Sequence, residues 1–261
     1  MISRSRRKDL TFMRNTPDVI VLCGGAGLRL RGVTGASPKS MASVAGRPFL
    51  EVLLRQLYRN GFRRVILAVG YQQQAIRSFF GEQFEGVNVV YSGESEPLGT
   101  GGAVRKAADL LESDAALIMN GDSYTDADLV AFVNDYQNRA SDVSMLVVPA
   151  EGREDCGTVL ADASGKVLQF QEKTLLEGSR YSNAGIYMLS HRMISQIPEG
   201  VQVSLENELF PRWLHQRASV RAFIHQGSCL DIGTPDRYSR AQDLLRDVEQ
   251  AASSTAPGVR L

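Results

Sequence analysis

The sequence predicts an α/β protein whose doubly wound, mixed sheet continues into an antiparallel extension in the C-terminal half. Three observations support this class. Between residues 18 and 139, short apolar runs alternate with amphipathic stretches, which is typical of parallel strands joined by helices. After residue 142, short strand-like runs follow one another across turns with few helices between them. The chain of 261 residues, 43% of them hydrophobic, is also long enough to bury a sizeable core.

The N-terminal half contains four predicted strands and four predicted helices. Continuous apolar runs indicate buried strands, whereas apolar residues at helical spacing indicate helices. Gly61 follows the first helix as a stop signal, and acidic residues open the fourth, as the helix dipole prefers. The strands are 19–22, 65–69, 87–91 and 116–119, and the helices are 48–59, 72–80, 103–111 and 126–139.

The C-terminal half contains five short predicted strands and a closing helix. The strands are 143–148, 158–161, 167–170, 184–189 and 220–224, and the helix is 236–249. We expect residues 17–249 to form a single domain. Residues 1–16 carry five basic residues and one acidic residue, without the apolar run of a secretory signal. We therefore expect a flexible basic arm at 1–16 and a disordered tail at 250–261.

Charge and cysteine content exclude several classes of protein. The 29 basic and 29 acidic residues give zero net charge, which argues against a nucleic-acid binder with a broad basic face and against a polybasic membrane protein. No apolar run approaches the ~20 residues that span a bilayer. The three cysteines form no CxxC pair, which excludes a disulfide scaffold and fits a reducing compartment. We expect a cytoplasmic protein.

A glycine-rich loop follows the first predicted strand. Gly24, Gly25 and Gly27 leave backbone amides free to bind an anion. A dinucleotide fingerprint fails because leucine stands at position 30, and no lysine has Walker A surroundings. Arg29 and Lys39 flank the loop and suit a triphosphate. From the loop alone, a tight turn with solvent-facing basic residues is an equally good interpretation.

Five later motifs follow the loop in a fixed order. They are LGTGGA at 98–103, NGD at 120–122, QEK at 171–173, NAGIY at 183–187 and DIGTP at 231–235. With the loop segment GGAGLRL and the runs SPKSM and VAGRPFLEVLL, the series resembles the sugar-1-phosphate nucleotidylyltransferase family from about Val19 to Tyr238. The arrangement is most similar to short bacterial members that act on D-glycero-α-D-manno-heptose 1-phosphate with GTP.

The resemblance implies a Rossmann-like mixed sheet of the nucleotidyltransferase (GT-A-like) type and a Mg²⁺-assisted reaction. A sugar 1-phosphate oxygen attacks the α-phosphorus of a nucleoside triphosphate and expels pyrophosphate, without a covalent enzyme intermediate. The resemblance assigns catalytic roles to Arg29, Lys39, Asp122 and Asp231, with the two aspartates as metal ligands. An aspartate beside glycine or threonine alone more often forms a turn or caps a helix.

The resemblance also implies two groups of binding residues. The nucleotide-binding residues are Leu22, Gly24, Gly25, Gly27, Glu94, Gly99 and Thr100. The sugar-phosphate-binding residues are Gly157, Glu172, Lys173, Asn183 and Gly185. An exposed strand end is the plain structural alternative for Glu172, and a turn is the alternative for Asn183. The family usually has threonine where this chain has Leu28.

Because the net charge is zero, attraction for such anionic substrates has to be local, from Arg29, Lys39, Lys173 and bound Mg²⁺. We expect guanylyl transfer from GTP to a heptose 1-phosphate. The alternatives are a mannose-1-phosphate guanylyltransferase, an amino-sugar-1-phosphate uridylyltransferase and, from another class, a catalytically idle nucleotide-sensing subunit. We expect no nucleic-acid or membrane partner, and a homodimer is one open oligomeric state.

Overall fold

A ten-stranded mixed sheet forms the centre of the chain in the computed structural model, which describes residues 16–254 apart from 26, 31, 33, 34, 36, 140, 151–155 and 228. The described strands are β1 Asp18–Leu22, β2 Ser43–Val44, β3 Arg47–Pro48, β4 Arg64–Val69, β5 Gln83–Phe84, β6 Val87–Gly93, β7 Ala115–Asn120, β8 Ser123–Thr125, β9 Val143–Pro149, β10 Thr158–Ala161, β11 Val167–Gln171, β12 Tyr181–Ser190, β13 Val220–Ile224 and β14 Cys229–Asp231. The described helices are α1 Phe49–Arg59, α2 Gln73–Phe80, α3 Gly99–Ala107, α4 Leu129–Arg139, α5 His191–Ile194, α6 Phe210–His215 and α7 Pro235–Ser254.

The parallel core of the sheet consists of β7, β1, β4 and β6. Ile20 on β1 lies opposite Ile66 on β4 and Ile118 on β7. Because successive side chains of a strand point to opposite faces, Ile20 packs in one apolar cluster and Val19 and Val21 in the other. Helices α1, α2 and α4 contribute to the cluster of Val19, and α3 contributes to that of Ile20. The sheet is therefore covered on both faces, as its continuous apolar strands predict.

The sheet changes to antiparallel pairing at β12, which lies beside β7 with Met188 opposite Leu117. The full order is β11-β10-β12-β7-β1-β4-β6-β5, with β9 paired to both β12 and β13. The pairing of β12 with β9 shifts register between Asn183 and Tyr187. The predicted fold class, a mixed sheet with an antiparallel extension, is confirmed.

A small ribbon of β8 and β14 lies beyond the end of β7. Asp231 pairs with Ser123 in this ribbon, and the backbone N–H of Ile232 donates to the carbonyl of Asp122 at 3.0 Å. The ribbon therefore brings together two aspartate-containing turns that are more than one hundred residues apart in sequence.

Some boundaries differ from those predicted. Helix α3 begins at Gly99 rather than at residue 103, because the backbone N–H groups of Gly101 and Gly102 donate to the carbonyl of Val203 at 2.8 and 3.2 Å. Residues 250–254, which the sequence analysis assigned to the tail, continue α7. Strands β8 and β14 and helices α5 and α6 were absent from the sequence-based assignment.

Residues 1–15 of the predicted basic arm and residues 255–261 of the predicted tail lie outside the described residues. In the part of the chain that is described, no helix combines the length and apolar character needed to cross a membrane.

Candidate active site

Two adjoining cavities open at the carboxyl ends of β1 and β7, where open α/β sheets place their ligands. The first has a volume of about 320 Å³ and the second about 350 Å³. We call them the nucleotide cavity and the sugar cavity, after the residue groups that the sequence assigned to each. Both are lined by Lys39, Thr100, Asn120 and Asp122.

Backbone and small side chains form most of the wall of the nucleotide cavity. The predicted nucleotide-binding residues that line it are Leu22, Gly24, Gly25, Glu94, Gly99 and Thr100. A methyl group added at Gly24 would lie 3.7 Å from both carboxylate oxygens of Glu94, so the loop and this carboxylate are close neighbours. Gly27 does not line either cavity. It packs against Lys39, whose Cβ would lie 2.7 Å from an added methyl group.

Glu94 is a half-buried carboxylate of the nucleotide cavity. Its Oε2 accepts a hydrogen bond from the backbone N–H of Leu98 at 3.2 Å. Burial raises the pKa of Glu94 above its usual value, and the Leu98 N–H and the charge of Lys106 oppose that rise. A carboxylate has two acceptor oxygens, so Glu94 can accept from a ligand while it keeps its bond to Leu98.

Each of the two predicted metal-binding aspartates is paired with a cation. Lys39 Nζ donates to Asp122 Oδ2. Arg237 Nη1 lies 3.0 and 2.9 Å from the two carboxylate oxygens of Asp231, and the backbone N–H of Gly233 donates to Asp231 Oδ1 at 2.7 Å. Arg237 stands two residues beyond the DIGTP motif, so the motif gave no signal for it.

The sugar cavity contains every residue that the sequence assigned to the sugar phosphate. These are Gly157, Glu172, Lys173, Asn183 and Gly185, together with Arg29 and Asp231. A methyl group added at Gly157 would lie 2.7 Å from Glu172 Oε2. Burial and the charge of Glu206 raise the pKa of Glu172 above its usual value, and the charge of Lys173 opposes the rise.

Glu206 is a buried carboxylate in the sugar cavity that the sequence analysis missed. It is 8% exposed and lies on the π-helical turn Leu205–Leu209 that leads into α6. Its Oε2 accepts from Thr100 Oγ1 at 2.6 Å, and its Oε1 accepts from the hydroxyl of Tyr187 at 3.1 Å. Tyr187 stands within the NAGIY motif, yet its partner lies nineteen residues away on another element.

Among the described residues, the charges that line the sugar cavity balance one another. The basic side chains Arg29, Lys39, Lys173 and Arg237 face the acidic side chains Asp122, Glu172, Glu206 and Asp231. The described part of this wall therefore lacks the local surplus of cations expected from the sequence. Because Asp122 and Asp231 neutralise Lys39 and Arg237, any cation that engages both carboxylates would leave these basic groups available to phosphates.

Asp122 and Asp231 together suit a hard divalent cation. Both line the sugar cavity, and carboxylate oxygens are the ligands that Mg²⁺ prefers. The described residues contain no group of three or more His, Cys, Asp or Glu side chains arranged to hold a metal. A pair of carboxylates fits an ion that completes its shell with water and substrate phosphates, as Mg²⁺ does.

The doubly wound sheet thus carries two joined cavities that share one cation, Lys39, and one carboxylate, Asp122. The family model described as Nucleotidyl transferase matches residues 18–248. The chain belongs to this family of enzymes, which confirms the family resemblance found in the sequence.

Two curated relatives carry related names. The mannose-1-phosphate guanylyltransferase of Mycobacterium tuberculosis is 34% identical over 234 residues, which cover 88% of this chain but only 65% of that protein. The D-glycero-alpha-D-manno-heptose 1-phosphate guanylyltransferase of Campylobacter jejuni is 32% identical over 219 residues, which cover 84% of this chain and 96% of that protein.

Solved structures share the fold. The crystal structure of HddC from Yersinia pseudotuberculosis complexed with GMP-PN has a TM-score of 0.77 and 31% identity, and the match covers 88% of this chain and 100% of HddC. A putative glucose-1-phosphate thymidylyltransferase from Bacillus anthracis has a TM-score of 0.79 at 23% identity, covering 88% of this chain and 96% of that one. The latter likeness concerns the fold alone.

Proposed function

We propose that this protein transfers a guanylyl group from GTP to a sugar 1-phosphate, with D-glycero-α-D-manno-heptose 1-phosphate as the expected acceptor. The observation that carries the proposal is that the two cavities meet at Lys39 and Asp122. Two phosphorylated ligands would therefore meet at one cation and one carboxylate. Relatives named for the heptose reaction match over 96 and 98% of their own length, which favours the heptose over mannose.

The nucleotide cavity would hold GTP. The Glu94 carboxylate would accept the N1–H and N2–H groups of guanine, since a carboxylate offers two acceptor oxygens. Backbone amides at Gly24 and Gly25, with Lys39, would bind the triphosphate, and Arg29 would approach its phosphates from the sugar cavity. These contacts hold the α-phosphorus at the boundary with the sugar cavity.

The sugar cavity would hold the acceptor, with Lys173 on its phosphate and with Glu172 and Asn183 on its hydroxyl groups. An oxygen of the sugar phosphate forms a new bond to the α-phosphorus of GTP. The bond to the β-phosphate bridging oxygen breaks, and its electron pair leaves with pyrophosphate. Because the attacking oxygen is already anionic, the step needs no general base, and Arg29 and Lys39 stabilise the charge that develops.

Asp122 and Asp231 would hold Mg²⁺, which neutralises phosphate charge when bound. Lys39 and Arg237, which contact these carboxylates in the structure, would then face the phosphates. The reaction uses no enzyme nucleophile: Cys23 is buried, and burial with the nearby charge of Asp122 raises the pKa of its thiol, so it stays protonated.

The test is a matrix of the four ribonucleoside triphosphates against heptose, mannose and amino-sugar 1-phosphates with Mg²⁺, scored by pyrophosphate release. Reactions without sugar phosphate control for simple hydrolysis. We expect the highest kcat/KM for GTP with the heptose 1-phosphate. A maximum for mannose 1-phosphate, or for UTP with an amino sugar, would overturn the substrate assignment. Nucleotide binding without turnover in any combination would instead indicate a regulatory subunit.

A further inference from the structure

Three hydroxyl groups surround the buried carboxylate of Glu206, which lines the sugar cavity. Thr100 Oγ1 and Ser204 Oγ donate to Oε2 at 2.6 and 3.1 Å, and the Tyr187 hydroxyl donates to Oε1 at 3.1 Å. Burying a charged group is costly unless it is hydrogen-bonded. Oε2 accepts two of these hydrogen bonds and Oε1 accepts one, so the protein's own hydroxyl groups hold the carboxylate in place and are held by it.

One series of hydrogen bonds runs from Glu206 through Tyr187 to Asn183, and the groups at its two ends fix the direction of each bond. Asn183 Nδ2 donates to the Tyr187 hydroxyl at 2.7 Å, and Asn183 Oδ1 accepts from the backbone N–H of Gly185 at 3.0 Å. A backbone N–H can only donate, and a carboxylate can only accept. The amide of Asn183 therefore has a single orientation consistent with Gly185 at one end and Glu206 at the other.

The Tyr187 hydroxyl keeps the proton that this arrangement needs. The side chain is fully buried, and burial together with the charge of Glu206 raises the pKa of Tyr187 well above its usual value. Tyr187 therefore always donates to Glu206 and accepts from Asn183. One hydrogen of the Asn183 amide is engaged by Tyr187, and the second remains for a ligand in the sugar cavity that Asn183 lines.

We propose that Glu206 is a positioning residue that acts through Tyr187 to present an N–H donor of Asn183 to an acceptor oxygen of the sugar. The inference rests on the proposed function, since it concerns the acceptor sugar of that reaction. A second hydrogen bond of the same carboxylate holds Thr100, which lines both cavities. Thr100 also accepts from the backbone N–H of Leu205 at 2.8 Å.

The hydrogen bonds of Glu206 to Tyr187 and to Thr100 give different expectations for three variants. Tyr187→Phe breaks only the connection to Asn183, so the KM for the sugar 1-phosphate rises about tenfold, as for one lost hydrogen bond, while the KM for GTP stays within twofold. Thr100→Val breaks the hydrogen bond between Thr100 and Glu206 and raises the KM for GTP. Glu206→Gln removes one acceptor oxygen and raises both values. Tyr136→Phe is the matched control, because Tyr136 is also a buried tyrosine but lines neither cavity.

A paired substitution tests the direction of the hydrogen bonds themselves. In the double variant that combines Asn183→Asp with Glu206→Gln, the total charge is unchanged. The new amide at position 206 can donate to the Tyr187 hydroxyl, which can then donate to the new carboxylate at position 183. We expect each single variant to lower the urea midpoint and the double variant to recover most of the loss. The sugar KM of the double variant stays raised because the donor to the sugar is gone. Additive losses in stability would contradict the proposed direction.

Failure of this inference differs from failure of the proposed function. If the wild-type protein releases no pyrophosphate with any substrate pair, the proposed function fails. If the wild type is active and Tyr187→Phe, folded by circular dichroism, keeps its sugar KM within twofold, the positioning role of Glu206 is overturned. Equal rises in the KM for GTP and for the sugar in Tyr187→Phe would overturn it too, because a general loosening of the site would have that effect.

Discussion

The two cavities of the site are built from different parts of the chain and from different chemical groups. The nucleotide cavity lies at the ends of the parallel strands, and of the described residues only Lys39, Glu94 and Asp122 bring charge to its wall. The sugar cavity is lined by eight charged side chains of the described part of the chain. These come from the glycine-rich loop, the 3-10 turn Lys39–Met41, the ends of β7 and β11, the π-helical turn, β14 and the start of α7.

This difference shows how each ligand would be recognised. A wall of backbone and small side chains binds through loop geometry, and the loop after β1 supplies one continuous part of it, residues 22–25. A wall of paired charges depends on side chains that converge from distant elements. Asp231 reaches Asp122 only through the ribbon of β8 and β14, and Glu206 reaches Thr100 across 106 residues.

The largest effects are expected where the two cavities meet. Asp122→Asn should lower kcat by about 10³-fold, the scale of a lost charge-stabilising group, because Asp122 lines both cavities. Asp231→Asn, which alters the sugar cavity alone, should cost somewhat less and raise the Mg²⁺ concentration needed for half-maximal rate. Pyrophosphate release measures both. Asp109→Asn, at an exposed helix position, is the control, and survival of both variants near the wild-type rate would refute the metal assignment.

Removal of a single cationic side chain from the sugar cavity should weaken binding of the sugar phosphate and leave binding of GTP unchanged. Lys173→Met should raise the KM for the sugar 1-phosphate by about 10- to 100-fold, the effect of one charged hydrogen bond, without a change for GTP. Lys166→Met provides a matched lysine, because Lys166 is exposed and lines neither cavity. A parallel rise in both KM values would show that Lys173 supports the whole site instead of the sugar phosphate.

Two glycines with similar backbone angles sharpen the contrast between local and tertiary constraints. Gly185 and Gly178 have φ values of 72° and 77°, and an added methyl group would lie 2.5 Å from Asn120 Nδ2 at Gly185 but meet nothing within 4 Å at Gly178. We expect Gly178→Ala to lower the free energy of unfolding by about 1 kcal/mol, the cost of the left-handed conformation.

Gly185→Ala should lower it by about 2 kcal/mol or more, because it adds the clash with Asn120 to the same backbone strain. Urea unfolding of the two variants measures the difference. Equal losses would mean that Asn120 yields without cost and that the sugar cavity tolerates more than its packing indicates.

The smallest effect concerns the nucleotide cavity. Glu94→Gln should lower the ratio of GTP to UTP turnover about fivefold, since a neutral amide offers one acceptor where guanine presents two donors. Burial raises the pKa of Glu94 from 4.5, so the ionised form grows as pH rises through that higher value. The KM for GTP should therefore increase as pH falls through it, and this increase should disappear in the variant.

The raised pKa of Glu94 also affects the free energy of unfolding. A rise in pH that favours GTP binding lowers this free energy. A carboxyl whose folded-state pKa is raised favours folding when it is protonated, so its contribution declines as pH rises from 4.5 through the higher folded value. Glu94→Gln should be more stable relative to wild type above this window than below it. If Glu94→Gln keeps the wild-type ratio of GTP to UTP turnover, Glu94 does not discriminate between the two bases.

Patterns within the sequence are enough to predict the fold class, and every candidate site residue except Gly27 lines at least one of the two cavities. Apolar periodicity identified β1 and β7, and glycines next to β1 indicated the nucleotide loop, because these signals depend on neighbours within a few residues. The ordered motifs then located Asp122, Lys173 and Asp231, each of which lines at least one cavity.

The pairing of these residues, in contrast, follows from the tertiary fold. Arg237 contacts Asp231, and Glu206 joins Thr100 to Tyr187, although nothing in the local sequence of either residue indicates its partner. Helix α3 begins early because Val203 supplies a distant carbonyl. Hydrogen bonds and ion pairs of this kind join groups that the folded sheet brings together, whereas sequence patterns record mainly which residues are buried and where the chain turns.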